Sequence, residues 1–213
     1  MPAPSAVSFR PIPVVFVRNP LLRIRSVFLF DKSRAEKASE QVPLSDPLAG
    51  FEEWVVEIKT AIAQFEKETG KKAAPFGVNL IVNPMNTRVQ PDLEICIKHQ
   101  VPLIITSLGA VPQLVDAVHA YGGLVFHDII KKRHAEKAAQ AGVDGLILVA
   151  GGAGGHAGTL HPIALMHEIK QFFSKTILLS GCLSTGQDIA SALQMGADLA
   201  YMGTRFINVQ ESK

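Results

Sequence analysis

The residues best suited to chemistry in this chain form a glycine-rich segment with one histidine, GGAGGHAG at 151–158. The segment follows an apolar run at 146–150 that has the length and composition of a buried strand. Its five glycines carry no Cβ, so a ligand can approach the backbone closely. His156 is the only ionisable side chain of the segment, and histidine titrates near neutral pH. The pattern predicts a ligand site in which His156 moves a proton; a flexible loop with an incidental histidine is the alternative.

Composition places the chain among globular proteins. The 213 residues are 47% hydrophobic and 19% charged, which excludes global disorder. The formal net charge of +2 gives no reason to expect a nucleic-acid partner. No apolar run approaches the roughly 20 residues that span a bilayer, so we expect no membrane segment. The two cysteines, Cys96 and Cys182, are far apart, which favours a reducing, cytoplasmic setting and predicts neither a disulfide nor a zinc site.

From Phe51 onward the chain alternates between amphipathic helical patterns and short apolar strands. Strands that are apolar along their whole length, each followed by a helix, indicate a parallel sheet covered by helices. Six such βα units follow one another from residue 76, and their predicted strands are 76–82, 103–106, 124–128, 145–150, 176–180 and 199–202.

The first 50 residues differ from the rest, and we expect an atypical N-terminal segment at 1–50 and a partial barrel domain at 51–213. Two apolar runs at 14–17 and 27–30 would bring the strand count to eight, which predicts a (β/α)8 barrel of the TIM type. A doubly wound open sheet is the alternative, but its glycine fingerprint after the first strand is absent. The segment is rich in arginine, as transit peptides are, but its prolines would break the amphipathic helix that targeting requires. Organellar targeting is therefore a weak prediction.

A βα barrel carries its chemistry at the carboxyl ends of its strands, and phosphate is often held after the last two strands. Here those turns are Ser180-Gly181 and Gly203-Thr204, which offer backbone N–H groups and hydroxyls. The helix that begins near Thr185 would add the positive end of its dipole. The sequence thus predicts a phosphorylated ligand; ordinary tight turns between strand and helix are the alternative.

Further polar residues follow the other predicted strands: Asn79, Thr106 with Ser107, and His127 with Asp128. A set of amides, hydroxyls and histidines without a cluster of carboxylates suits an organic cofactor better than a metal, so no metal site is expected. Asp144 and Asp198 occur in the near-identical junctions AGVDG and MGADL, at the opposite ends of the strands. For these two we expect structural roles, because aspartate is commonly used in caps and turns.

These motifs together resemble the nitronate monooxygenase family, formerly called 2-nitropropane dioxygenases. The resemblance runs from about residue 51 to 212 and is carried by FGVNL at 76–80, AGGHAG at 153–158, LSG at 179–181, GAD at 196–198 and YMGTRF at 201–206. It implies an FMN-dependent (β/α)8 barrel that oxidises alkyl nitronates or nitroalkanes with O2. In this chain it implies that His156 is the catalytic histidine and that Asn79 contacts the flavin.

The resemblance also implies that Gly181, Gly203 and Thr204 cradle the phosphate. With the strand-end residues, the predicted cofactor-binding set is Asn79, Thr106, His127, Gly155, Ser180, Gly181, Gly203 and Thr204. Residues 11–15 could begin the family's first strand, but residues 1–50 carry neither the turn that ends that strand in the family nor the glycine-rich segment that follows the second strand. The sequence also ends at Lys213, soon after the last strand, so we expect an incomplete barrel. An FMN-dependent enoyl reductase and a non-catalytic fragment are the alternatives.

Overall fold

A computed structural model describes residues 47–154 and 157–208, with side chains for 50–154 and 157–206. The predicted strands at 14–17 and 27–30, together with Gly155 and His156, lie outside the described residues. The described elements alternate strictly between helix and strand after the first helix. They are α1 (Pro47–Thr69), β1 (Gly77–Ile81), α2 (Val89–Lys98), β2 (Leu103–Ser107), α3 (Pro112–His119), β3 (Leu124–Ile129), α4 (Lys132–Gln140), β4 (Gly145–Val149), α5 (Pro162–Lys170), β5 (Thr176–Ser180), α6 (Gly186–Gln194), β6 (Leu199–Tyr201) and a 3-10 helix (Thr204–Asn208).

The six strands form one parallel sheet in the order β1-β2-β3-β4-β5-β6. Each strand pairs with the next in the sequence, and the order never reverses. A doubly wound sheet reverses its order at a switch point, so that alternative is excluded and the predicted α/β barrel architecture is confirmed. Among the described residues β1 and β6 do not pair with each other, so this part of the barrel wall is open.

Two apolar clusters show which face of the sheet the helices cover. The larger cluster combines strand residues such as Ile104 and Leu146 with helix residues such as Leu165. The smaller cluster contains only strand residues, namely Leu103, Ile105, Phe126, Ile147 and Leu178, with Val149, Leu199 and Tyr201 against it. All helices therefore pack on one face, as in a barrel, and the second face is the inner one.

The elements end where the local chemistry requires it. Gly70, Gly122, Gly142 and Gly196 adopt positive φ after α1, α3, α4 and α6, the left-handed conformation that closes a helix. Helix α1 begins at Pro47, within the segment 1–50 that the sequence sets apart. Helix α2 begins at Val89, two residues before Pro91.

The junctions between helix and strand are fastened by the two aspartates expected to be structural. Asp144 accepts a hydrogen bond from the backbone N–H of Val125 at 2.8 Å, and its own N–H donates to the carbonyl of Val125 at 2.8 Å. Asp198 makes the same pair of bonds with Ile177, both at 2.8 Å. Each aspartate thus ties the start of its strand to the preceding strand, at the end opposite to the glycine-rich loops. The structural roles predicted for both residues are confirmed.

Candidate functional site

Three loops meet at the carboxyl ends of β4, β5 and β6. The backbone N–H of Cys182 donates to the carbonyl of Gly152 at 3.3 Å, which joins the glycine-rich loop after β4 to the turn after β5. A Cβ added at Gly154 would lie 3.0 Å from Oγ1 of Thr204, so the same loop also lies against the turn after β6. The glycines are what permit these approaches, because side chains would hold the loops apart.

The described parts of the glycine-rich loop are anchored to the end of β4 on both sides of residues 155–156. Gly151 donates its N–H to the carbonyl of Leu160 at 2.8 Å, and Gly158 donates to Val149 at 3.1 Å. A Cβ at Gly158 would approach the Val149 carbonyl oxygen to 2.7 Å. The two described ends of the loop therefore both lie next to the end of β4. His156 follows Gly154 by two residues in the sequence.

The two turns predicted to bind phosphate differ in how much space surrounds their glycines. Gly181 has φ +129, and a Cβ added there would lie 3.1 Å from the carbonyl oxygen of Gly151, so a side chain would crowd the turn after β5. At Gly203 a Cβ would meet no atom within 4 Å. In the 3-10 helix that starts at Thr204, the N–H of Phe206 donates to the carbonyl of Gly203 at 2.9 Å, and the N–H groups of Thr204 and Arg205 precede the first carbonyl that the helix could offer them. Both turns could therefore supply backbone N–H groups to an anion.

The start of α6, which was predicted to assist the two turns in binding phosphate, is capped by side chains of the same helix end. In α6, Asp188 accepts hydrogen bonds from the N–H groups of Ser184 (2.9 Å) and Thr185 (2.8 Å), and its own N–H donates to Oγ1 of Thr185 (3.2 Å). These bonds lower the pKa of the Asp188 carboxyl, so a negative charge stays at this helix end. The capping box engages the N–H groups of Ser184, Thr185 and Asp188, and the binding of phosphate at the start of α6 stays a prediction.

The strand-end residues divide between the two faces of the sheet. Side chains alternate along a strand, and Val78 and Leu80 belong to the cluster beneath the helices, so Asn79 faces inward. Ser180 faces inward by the same rule, because Leu179 lies in the helix-side cluster and Leu178 in the inner one. Ser180 is buried, and Oδ1 of Asn79 is buried without a hydrogen-bond partner in the described part of the chain.

Thr106 and His127 face the helices instead. Thr106 shares its face with Ile104, and His127 with Val125 and Ile129, all three in the helix-side cluster. Oγ1 of Thr106 lies 2.7 Å from Nδ1 of His127 and 3.3 Å from the carbonyl oxygen of Phe126. Burial, with the charge of His134 as a smaller cause, lowers the pKa of His127 to about 4, so the ring is neutral at pH 7. Their contact with a cofactor stays a prediction, and the structure does not bring them together with Asn79 and Ser180.

Two inward-facing residues at the same edge were not among the predicted site residues. Asp128 shares the inner face with Phe126, and Tyr201 packs against the inner cluster. Burial raises the pKa of the Asp128 carboxyl to about 7, and within residues 47–154 and 157–208 the buried Oδ1 of this carboxyl has no hydrogen-bond partner. Burial and the charge of Asp128 both raise the pKa of Tyr201. The period-two alternation of β3, LVFHDI, places His127 and Asp128 on opposite faces of the sheet, but it does not indicate which of the two faces inward, because β3 is apolar on both faces.

Comparison with known proteins now identifies the family. The nitronate monooxygenase profile matches residues 38–213. The chain belongs to the nitronate monooxygenase family. Membership accounts for the loop and turn motifs, and residues 38–46, before the first described helix, also fall within the family match.

Named relatives of the nitronate monooxygenase family differ in the activity their names state. The chain is 31% identical over 73% of its length to the (3aS,4S,5R,7aS)-5-hydroxy-7a-methyl-1-oxo-octahydro-1H-indene-4-carboxyl-CoA dehydrogenase of Rhodococcus jostii (strain RHA1), covering 43% of that protein. It is 29% identical over 46% of its length to the nitronate monooxygenase of Neurospora crassa, covering 28% of it. The chain thus spans less than half the length of these curated relatives.

Among solved structures, FabK from Thermotoga maritima superposes with a TM-score of 0.62 at 26% identity. The match covers 75% of this chain and 50% of FabK. Within the described residues, no helix is both long and apolar enough to cross a membrane. In the same part of the chain, no group of three or more His, Cys, Asp or Glu side chains is placed to hold a metal ion.

Proposed function

We propose that this chain is the flavin-binding part of an FMN-dependent oxidoreductase that oxidises alkyl nitronates or nitroalkanes with O2. The observation that carries the proposal is the meeting of the three loops after β4, β5 and β6. The glycine-rich loop contacts the turn after β5 through Gly152 and Cys182, and it approaches the turn after β6 at Gly154 and Thr204. Membership in the nitronate monooxygenase family supports the same conclusion.

The residues present fit a flavin mononucleotide. Its phosphate would be held by the N–H groups of the turns at Gly181 and Gly203-Thr204, where small residues leave room. Its ring would lie near the inner face, where Asn79 and Asp128 each have a buried oxygen without a partner. Orphaned buried polar atoms in a native fold call for an explanation, and a polar heterocycle supplies one. Ser180, also inward-facing, adds a hydroxyl between the phosphate turn and the ring.

The protein's part in the reaction is to bind, orient and exchange protons. The flavin, when bound, accepts the electrons of the substrate and passes them to O2. His156, the ionisable residue of the glycine-rich loop, would hydrogen-bond the nitronate oxygens, or remove the α-proton of a neutral nitroalkane. The buried inner face formed by Ile147, Leu178 and their neighbours would exclude water from the ring, which strengthens these polar contacts.

Flavin content and turnover test the proposal in two stages. The purified chain should be yellow, release FMN on denaturation and rebind it. His156→Ala should then retain FMN but lose most of its nitroalkane oxidation, roughly 100-fold or more in kcat. His167→Ala, the same change at an exposed histidine of α5, serves as a control for the effects of substitution itself. A colourless protein that FMN does not reconstitute would reject the function, and full activity of His156→Ala would reject the role of that residue alone.

A second candidate is an FMN-dependent oxidoreductase that acts on a coenzyme A thioester. It is favoured by the relative named as a carboxyl-CoA dehydrogenase, whose similarity extends over more of this chain than that of the Neurospora enzyme. Anaerobic bleaching of the bound flavin separates the possibilities. Bleaching by an alkyl nitronate supports the first candidate, bleaching by an acyl-CoA the second, and bleaching by NADH alone the enoyl reductase alternative.

A further inference from the structure

The carboxyl group of Asp128 lies in an apolar setting, and the fold does not satisfy its hydrogen-bonding capacity. It projects from β3 onto the inner face, where its register partner on β4 is Ile147 and where Phe126 and Leu178 are buried. Oδ1 of Asp128 is buried and has no hydrogen-bond partner among the residues that the structure describes. A carboxyl placed in this way costs stability, because it has given up water without gaining a partner.

Other aspartates of the same domain have partners for their carboxyl groups. Asp92, which is buried, pairs with Arg88 at 2.8 Å. Asp144 and Asp198 each accept a backbone N–H at 2.8 Å. The fold therefore satisfies the carboxyls that hold it together, and the unsatisfied one faces the space inside the sheet. Asn79, whose Oδ1 is also buried and unpaired, faces the same space.

The protonation state of this carboxyl determines what it can bind. Burial raises its pKa to about 7, so a large fraction is neutral at physiological pH. A neutral carboxyl offers one O–H donor beside one C=O acceptor. The nearby phenol of Tyr201, whose pKa burial and Asp128 both raise, is neutral as well. The inner face thus presents uncharged donors, with an acceptor next to the donor on Asp128.

We propose that Asp128 binds the imide edge of the flavin ring, where a carbonyl group stands beside the N3–H group. The carboxyl O–H donates to the ring carbonyl, and its C=O accepts from N3–H, so that two parallel hydrogen bonds form. The inference rests on the proposed function in taking FMN as the ligand. In this inference, Asp128 makes the site selective for a ring with an imide edge over a heterocycle that lacks one.

The test is a thermodynamic cycle between one residue and one ligand atom. FMN and 3-methyl-FMN, which lacks the N3–H, are titrated by fluorescence quenching into the full chain and into Asp128→Ala. In the unaltered protein, N3-methylation should weaken binding about tenfold, and Asp128→Ala should weaken FMN by a similar factor. In Asp128→Ala, the affinities for FMN and 3-methyl-FMN should differ by less than about twofold. The two hydrogen bonds are already lost in this variant, and the smaller side chain leaves room for the methyl group.

Two further variants guard the result against misfolding. Asp128→Val, which suits a strand, repeats the cycle, and circular dichroism establishes that each variant is folded. Asp116→Ala, an exposed acid on α3, should reproduce the unaltered protein in every titration. An equal methylation penalty with and without Asp128 overturns the inference while leaving FMN binding intact. Failure of the unaltered protein to bind FMN overturns both the inference and the proposed function.

Discussion

The hydroxyl oxygen of Thr106 lies 2.7 Å from Nδ1 of His127, on the helix side of the sheet. Both residues stand near the carboxyl ends of neighbouring strands, β2 and β3, which pair at this position. Both are buried, so each satisfies a polar atom of the other. The contact therefore joins two strands behind the candidate site, and the inner face is left to Asn79, Asp128, Ser180 and Tyr201.

Removing this hydroxyl should affect stability more than ligand binding. Thr106→Val leaves Nδ1 of the buried His127 without its partner, and we expect a loss of about 1–3 kcal/mol in the free energy of unfolding. Thr106→Ser keeps the hydroxyl and should lose about 1 kcal/mol or less. Urea unfolding measures both values, and FMN titration of the folded variants should give unchanged affinity. A folded Thr106→Val protein with weakened FMN binding would show that Thr106 reaches the cofactor.

Asp128 and His127 should give opposite pH dependences of stability. The pKa of Asp128 is raised from 3.8 to about 7, so the folded state holds the extra proton and stability falls as pH rises through that window. The pKa of His127 is lowered from 6.5 to about 4, so the unfolded state holds the extra proton and stability falls as pH decreases through that window. Each slope is at most ~1.4 kcal/mol per pH unit, and the two offset each other where they overlap.

Asp128→Asn should remove the pH dependence of stability that Asp128 causes and leave the one that His127 causes. The variant should be more stable than the unaltered protein near pH 7, and it should lose stability more steeply on acidification below about pH 6.5. Urea unfolding between about pH 4 and pH 8 measures both effects. Asp116→Asn, on the surface of α3, should follow the unaltered curve. Parallel curves for Asp128→Asn and the unaltered protein would mean that Asp128 is ionised in the fold at neutral pH.

The aspartate at the start of β6 should be sensitive to loss of its acceptor oxygen. In Asp198→Ala the backbone N–H of Ile177 loses its partner, and we expect about 1–3 kcal/mol of destabilisation. Asp198→Asn keeps an acceptor oxygen and should recover most of that loss. Thermal unfolding followed by circular dichroism checks the order of the three proteins. Equal melting temperatures for the alanine variant and the unaltered chain would remove the structural role of this side chain.

The contact between the loops after β4 and β5 should fail when Gly152 gains a side chain. A Cβ there would collide with Sγ of Cys182, and the backbone has φ +87, a conformation that costs other residues about 1–2 kcal/mol. Gly152→Ala should therefore lower stability and FMN affinity together. Adding Cys182→Ala should restore the part caused by the collision but not the part caused by φ. Gly186→Ala is the control, since a Cβ at that helix start meets nothing within 4 Å and should be tolerated.

The order and approximate limits of the strands and helices from Phe51 to Tyr201 could be predicted from the sequence. Turn glycines and apolar runs mark those limits by local chemistry, and β5 begins and ends where it was expected, at Thr176 and Ser180. The faces of the strands could not be predicted in the same way. Strands buried on both sides are apolar on both sides, so hydrophobicity does not distinguish Thr106 from Ser107 or His127 from Asp128.

The start of α6 carries a capping signal in the sequence that the prediction of an anion site did not take into account. The glycine and hydroxyl residues after β5 and β6 indicated an anion site. The start of α6 looked equivalent, but Asp188 folds back onto the N–H groups of Ser184 and Thr185. Serine or threonine followed three residues later by an acid is itself a capping signal, so Thr185 and Asp188 carried that information in the sequence.

The two aspartate bridges at the far ends of the strands have a consequence for the fidelity of assembly. A parallel strand that slips by one residue turns every side chain to the opposite face. In β3 such a slip would exchange His127 for Asp128 and leave the site with the wrong ionisable group. Asp144 fixes the alignment of β4 on Val125 of β3, and Asp198 fixes that of β6 on Ile177 of β5. Side chains that never approach a ligand thus determine which chemistry the inner face presents.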